Sequence, residues 1–184
     1  MTAPESGLSM RRHRIEIGGI AKESLLEALH AIGVELNPLA RDLFADERFG
    51  TSAAREVVDL VETTVADLGL VRGGTMPDLL RAAADRGWTA CPLEAGPHLR
   101  LQIRSDREEA GGTAQTRGCA PPGSITVVSD PIAMDSETPK GFYLRRIGGT
   151  PWLRGYRSDD HHVWSPQDRL IFFERSVRSP GSRG

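Results

Sequence analysis

The chain has 184 residues, of which 39% are hydrophobic and 26% charged, enough for one globular domain with or without an attached subdomain. Its formal net charge of −2 excludes a global basic field for nucleic acid or anionic membrane. No apolar run approaches bilayer length. No apolar stretch follows the basic patch at the start "MTAPESGLSMRRHR", so the expectation is a cytoplasmic protein without a secretory leader.

In chain order, residues 1–19 read as a flexible N-terminal tail. Residues 20–87 read as a helical region. "KESLLEALHAIG" sets Leu25, Leu26, Leu29 and Ile32 on one helical face, stopped by Gly33. Asn37 and Pro38 open "NPLARDLFADERFG" as N-cap and first helical residue. "TSAAREVVDLVETTVADLGL" predicts a third helix, from the spacing of Val57, Leu60, Val61, Val65 and Leu68. Thr75 and Asp78 form a capping box for a fourth, which ends at Gly87.

Residues 88–175 read as a sheet region. "HLRLQIR" alternates Leu99, Leu101 and Ile103 with Arg100, Gln102 and Arg104, the pattern of a half-buried strand. Residues 105–123 predict a charged, Gly- and Pro-rich loop, "SITVV" a strand, "SDPIAMDSETPKG" a second loop and "RLIFFE" the last strand. Residues 176–184 predict a disordered tail. The expected fold class is therefore α+β, with N-terminal helices followed by a mostly antiparallel β-sheet.

Between residues 141 and 157, Gly148-Gly149 separates two β-rich runs and predicts a tight hairpin turn. That register pairs Arg145 with Trp152, Leu144 with Leu153 and Tyr143 with Arg154. Phe142, Leu144 and Leu153 then face the core. Tyr143, Arg145, Trp152, Arg154 and Tyr156 share the other face, where guanidinium groups meet rings across the strands. Such a face is either a solvent surface laced by cation–π pairs or a binding surface for a carboxylate, phosphate or sulfate. Arg100 extends it if its strand is a neighbour. Pro151, lacking an N–H, suggests an edge position.

"YRSDDHHVWSP" after the hairpin concentrates titratable groups. Adjacent histidines, like adjacent aspartates, point to opposite faces of a strand. A metal site would therefore need help from Cys91, Cys119, His98 or Glu94, at no diagnostic spacing, and the expectation is no metal. The first reading is a turn at Ser158-Asp159-Asp160, with Val163 and Trp164 re-entering the core. Asp160 and His162 remain as a candidate acid–base pair. Cys91 and Cys119 do not make a disulfide framework and are expected as reduced thiols, Cys91 packed rather than nucleophilic. No P-loop, nucleophile elbow or dinucleotide fingerprint is present, and no cofactor is expected.

The blocks "CPLEAGPHLRLQ", "APPGSITVVSDPI" and "PKGFYLRRIGGTPWLRGYRSDDHHVWSPQDRLIFF" resemble a family of small bacterial proteins of unassigned activity, some of which carry the label helicase. The likeness runs over residues 37 to 174 and is most specific in the last block. Without a Walker A motif it implies no ATP-driven helicase. The Ala-, Arg- and Gly-rich composition suits an actinobacterial source, where such proteins are recruited into natural-product biosynthesis. One such pathway role, to which no motif of this sequence points, is that of the two-protein enzymes that close aziridine rings by expelling sulfate in azinomycin-like pathways. The family implies a cytosolic bacterial protein and little about activity; with the Arg/aromatic face, the expectation is a cofactor-independent lyase- or transferase-type enzyme, or one subunit of it, acting on an anionic small molecule with a partner protein. The alternative is a non-catalytic binding or regulatory module for a protein or single-stranded nucleic acid.

Overall fold

The computed structural model describes residues 10–103 and 120–175. The helices are α1 (Lys22–Ala31), α2 (Pro38–Ala45), α3 (Met76–Ala84) and α4 (Ala95–Gln102). The strands are β1 (Arg11–Ile17), β2 (Glu35–Leu36), β3 (Glu56–Thr64), β4 (Trp88–Thr89), β5 (Ile125–Val127), β6 (Gly141–Ile147), β7 (Thr150–Tyr156) and β8 (Arg169–Glu174). The strands form one eight-stranded sheet in the order β1-β3-β8-β5-β6-β7-β2, with β4 also paired to β8. No helix among the described residues is long and apolar enough to cross a membrane.

The fold is α+β, as expected, with two corrections. The sheet is mixed rather than mostly antiparallel, because β5 runs parallel to β8 and β2 parallel to β7. The helices alternate with strands rather than preceding them: β1 lies within the predicted tail, and β3 lies within the predicted helical region.

The third predicted helix is strand β3. It sits between β1 and β8 and is covered on both faces. Val58 and Leu60 enter one core cluster, Val61 and Val65 the other. A strand buried on both faces shows a near-continuous apolar run, and here that run mimics helical spacing. Its β-branched content (Val57, Val58, Val61, Thr63, Thr64) is the signal that favours strand.

The predicted strand at "HLRLQIR" is helix α4. Residues Ala95 to Arg100 are all buried, so apolar alternation there reflects enclosure rather than a pleat. Gly96 lets the helix approach the sheet, since a Cβ there would lie 2.8 Å from the Cβ of Phe142. Strand β1 escaped the composition argument because its basic residues hide a clean alternation, with Ile15 and Ile17 buried and Glu16 exposed.

Other expectations hold. The Asn37 side chain caps α2, and Thr75 with Asp78 makes a capping box on α3. The hairpin register matches pair for pair, and Gly148 and Gly149 take φ of +56° and +81°, the left-handed conformations that a two-residue turn demands.

The sheet divides two cores. One packs under α1, α2 and α4 around Leu29, Leu43, Leu60, Phe142, Leu144 and Leu153. The other packs against α3 around Val65, Leu79, Trp88, Trp164, Leu170 and Phe172.

A side-chain amide lies along β1, and another along β7 beyond the short β2. At β1, Gln102 of α4 takes the Glu16 N–H on its Oε1 (3.0 Å) and gives its Nε2 to the Glu16 carbonyl (2.8 Å). At β7, the Asn37 Oδ1 takes the Gly155 N–H (2.8 Å) and its Nδ2 donates to the Gly155 carbonyl (3.0 Å). Each amide pairs with one residue as a neighbouring strand would, covering an otherwise open edge.

Candidate functional site

A cleft of about 270 Å³ opens between β7, the first turn of α2 and the segment joining β7 to β8. Its size falls just below the common range for small-molecule sites. Tyr143, Tyr156 and Trp164 supply ring walls, and Leu39 and Pro121 add apolar surface. Arg154, Arg157 and His162 are its basic residues, and no carboxylate lines it among the described residues.

The hairpin positions Arg154 by register. Tyr143 lies directly across the ladder and Trp152 two residues back on the same strand. The guanidinium carbon lies 5.9 Å from the Tyr143 ring centroid and 5.2 Å from that of Trp152. These contacts hold the side chain in place, each contributing about 0.5–1 kcal/mol. Arg154 has no hydrogen-bonded or carboxylate partner among the described residues, and its Nε is buried without an acceptor.

The opposite wall is an aromatic stack. Tyr156 meets Trp164 edge-on at 5.9 Å, and His162 meets the same indole edge-on at 5.1 Å. Trp164 is 3% exposed, and its indole N–H also lacks an acceptor. A buried donor without a partner costs about 1–3 kcal/mol, so two on one cleft require an explanation.

The floor rests on Gly155. Its N–H and carbonyl are held by Asn37, whose Oδ1 also accepts the Ala40 N–H of α2 at 3.0 Å. A Cβ at Gly155 would fall 2.6 Å from the Leu39 carbonyl carbon and 2.7 Å from the Ala40 nitrogen. Glycine is thus what allows α2 to begin against the strand.

The expected site residues separate into groups. Tyr143, Arg154, Tyr156 and His162 line the cleft, with Trp152 stacked behind Arg154. Arg145 shares their face but is buried one ladder pair away, outside the lining.

Arg100 is corrected outright. It belongs to helix α4, lies on the other side of the sheet beside Arg146 and Pro151, and donates to the Ile103 carbonyl. A strand assignment had placed it on the wrong layer.

Asp160 is also separated from His162. It lines a different pocket, of about 280 Å³, across Tyr156 with Asp159, His161 and Lys140. No hydrogen bond joins it to His162 among the described residues. The acid whose titration senses His162 is instead Asp168. Its carboxyl is pushed up by burial, against the pull of the Ser165 and Ala120 amides and of His162.

The turn reading of "SDDHH" agrees with the geometry, since the Asp159 carboxylate accepts the His161 N–H at 2.9 Å. Trp164 enters the core as expected, but Val163 is 54% exposed.

Among the described residues no three His, Cys, Asp or Glu side chains form a group able to hold a metal ion. Glu94 and His98 do come together, 3.7 Å apart, but far along the chain from His161 and His162 and in a structural setting. Cys91 is buried and free, its thiol pushed well above the ordinary range by burial and then by the charge of Asp130. That removes the thiolate a nucleophile needs. Cys119 and residues 105–119 of the predicted loop lie outside the described residues.

Asn37, Trp164 and Asp168 are the functional candidates the sequence reading missed. Asn37 was visible only as a cap, and Trp164 only as core. Comparison with known proteins returns no match to a family model, to a curated relative or to a solved structure.

Proposed function

We propose that the protein binds, and in a complete assembly transforms, a small anionic molecule with an apolar or aromatic body. The observation carrying this reading is Arg154: a guanidinium held by two rings, with no hydrogen-bonded or carboxylate partner among the described residues, on a cleft that none of the described carboxylates lines. A guanidinium so placed is ready to meet a carboxylate, phosphate or sulfate.

Tyr143, Tyr156 and Trp164 would enclose the ligand body, and His162 is the titratable group placed to exchange a proton with it. Such a site works by positioning and charge stabilisation and asks for no redox cofactor. The resemblance to helicase-labelled bacterial proteins, and a role beside aziridine-forming enzyme pairs, are compatible with this reading. They suggest a cytoplasmic lyase- or transferase-type subunit of natural-product biosynthesis, acting beside a partner protein.

Calorimetric titration with benzoate, phenyl phosphate and phenyl sulfate tests the proposal. At least one should bind. Arg154→Ala should weaken binding about tenfold or more, because charge-assisted hydrogen bonds contribute roughly 1.5–3 kcal/mol. Arg154→Lys should recover little, since it lacks the planar fork. Absence of binding by the wild type, or unchanged binding by Arg154→Ala, would overturn it. Tight, steeply salt-dependent binding of a single-stranded oligonucleotide instead would favour the module reading.

A further inference from the structure

Arg154 is not the only donor on the cleft without an acceptor. Trp164, 97% enclosed by its own 3% exposure, lines the same space with its indole N–H unpaired. Asn37, the N-cap of α2, and Leu39, in its first turn, line it as well. The α2 N-terminus therefore borders the cleft, and the N-terminal end of a helix carries a partial positive charge. A helix end alone makes no site. Here it coincides with a buried N–H and a guanidinium, neither of which has an acceptor. Three features that favour negative charge thus border one cleft, and no carboxylate lines it among the described residues.

We infer that these features form one oxyanion subsite, built from Arg154, the Trp164 indole N–H and the first turn of α2, with Asn37 as its positioning and charge-selecting residue. The inference rests on the proposed anion-binding reading and assigns its donor set. The group it takes is a carboxylate, phosphate or sulfate on a ring-bearing molecule. Asn37 serves because its amide does two jobs without bringing charge. Its oxygen accepts the Ala40 and Gly155 N–H groups, and its nitrogen donates to the Gly155 carbonyl. This fixes the backbone between Arg154 and Tyr156 and sets the α2 terminus against it. Aspartate, an equally good N-cap, could accept both N–H bonds. It would lose the donor and place a negative charge beside the anion.

Two variants test this with phenyl sulfate, which stays anionic across the range used. Trp164→Phe keeps the ring and deletes the N–H, and affinity should fall about tenfold with Arg154 intact. Asn37→Asp should bind at least tenfold more weakly than wild type at pH 7, its melting checked alongside. As pH falls toward the ordinary aspartate range, near 4, that gap should narrow as the new carboxyl takes a proton. The other charged or titratable groups on the cleft, Arg154, Arg157, His162, Tyr143 and Tyr156, are common to both proteins, so the ratio of affinities isolates position 37.

If the wild type binds phenyl sulfate and loses it with Arg154→Ala, yet Trp164→Phe and Asn37→Asp bind like wild type, the three-part subsite is wrong while the broader reading stands. A gap for Asn37→Asp that stays constant with pH would also overturn the charge-selecting role. If the wild type binds none of the three probes, both readings fall together.

Discussion

The two sides of the sheet, at β1 and at the part of β7 beyond the short β2, are closed by the same device with different consequences. At the β1 edge, helix α4 supplies two side chains one turn apart. Gln102 clamps Glu16, and the His98 Nε2 accepts the Gly18 N–H at 3.1 Å. At the β7 edge, Asn37 alone clamps Gly155 and caps α2. The first edge is bordered by ion pairs such as Arg55–Glu16 and Arg12–Glu174. The second borders the aromatic cleft. An amide that mimics a strand can therefore simply close an edge, or close it and shape a site. What differs is the strand residue it holds: an exposed glutamate in one case, a glycine pressed against a helix in the other.

The largest expected effect comes from filling that glycine. Gly155→Ala puts a methyl within 2.7 Å of backbone atoms of Leu39 and Ala40, which cannot rotate away as a side-chain tip could. The clash must displace α2 or β7, at about 3 kcal/mol, the upper part of the usual range for overpacking. Denaturant titration should show that loss, together with loss of probe binding. A variant as stable as wild type would mean that α2 does not sit on the strand. Glu16→Ala at the matching position of the other edge removes only an exposed ion pair and should change stability by less than about 1 kcal/mol.

The second contrast is that one edge titrates. Burial holds the His98 imidazole below its ordinary pKa, outweighing the opposing pull of Glu94 and Glu16. The neutral ring can then accept the Gly18 N–H. The unfolded chain, with histidine near its usual value of about 6.5, takes up the proton first as pH falls. Stability from this group is present above about pH 6.5 and declines as pH drops through the folded value. Hydrogen exchange should show protection at Gly18 and Glu16 falling between pH 7 and 5, while Gly155, held by an amide, keeps its protection. Glu62 acts lower in the range. Burial resists its ionisation, but bonds from His13 and Arg169 outweigh this and hold its carboxyl low. Its stabilisation is present above the ordinary glutamate value, near 4.3, and is lost as pH falls through the lower folded value. Asp168, raised by burial, has the opposite sign, so site-specific exchange is more informative than a melt. A pH-independent ratio of the Gly18 and Gly155 protections would remove His98 from this role.

How far this comparison was legible in the sequence differs between the edges. The hairpin was readable because two glycines fix its register and a period of two then sorts every side chain. Three of the cleft residues, Tyr143, Arg154 and Tyr156, followed from that. The β1 edge was not readable. Its strand looked like a basic tail, and its supporting helix alternated like a strand because it is enclosed. Asn37 announced its cap through the adjacent Pro38, but its second partner is 118 residues away, and no local pattern encodes such a contact. Arg100 failed for the same reason as α4: once the element was wrong, its layer was wrong. Asp160 failed because alternation cannot predict which side of a turn a side chain takes.

The smallest expected effect is at Gln102. Its two bonds to Glu16 lie at the surface, where water can replace them, so Gln102→Ala should cost no more than about 1 kcal/mol. The informative outcome is local. The Glu16 amide should lose protection while the neighbouring Ile15 and Ile17, which pair with Val58 and Glu56 of β3, keep theirs. Opening a sheet edge usually invites pairing with a second chain. Here Arg12 and Arg14 lie along the same strand, and two antiparallel copies centred on His13 would set Arg12 of each against Arg14 of the other. The variant should therefore remain in the oligomeric state of the wild type in sedimentation. Self-association of Gln102→Ala would show that the amide, rather than the strand's own charges, protects this edge, and would make the two clamps more alike than their surroundings suggest.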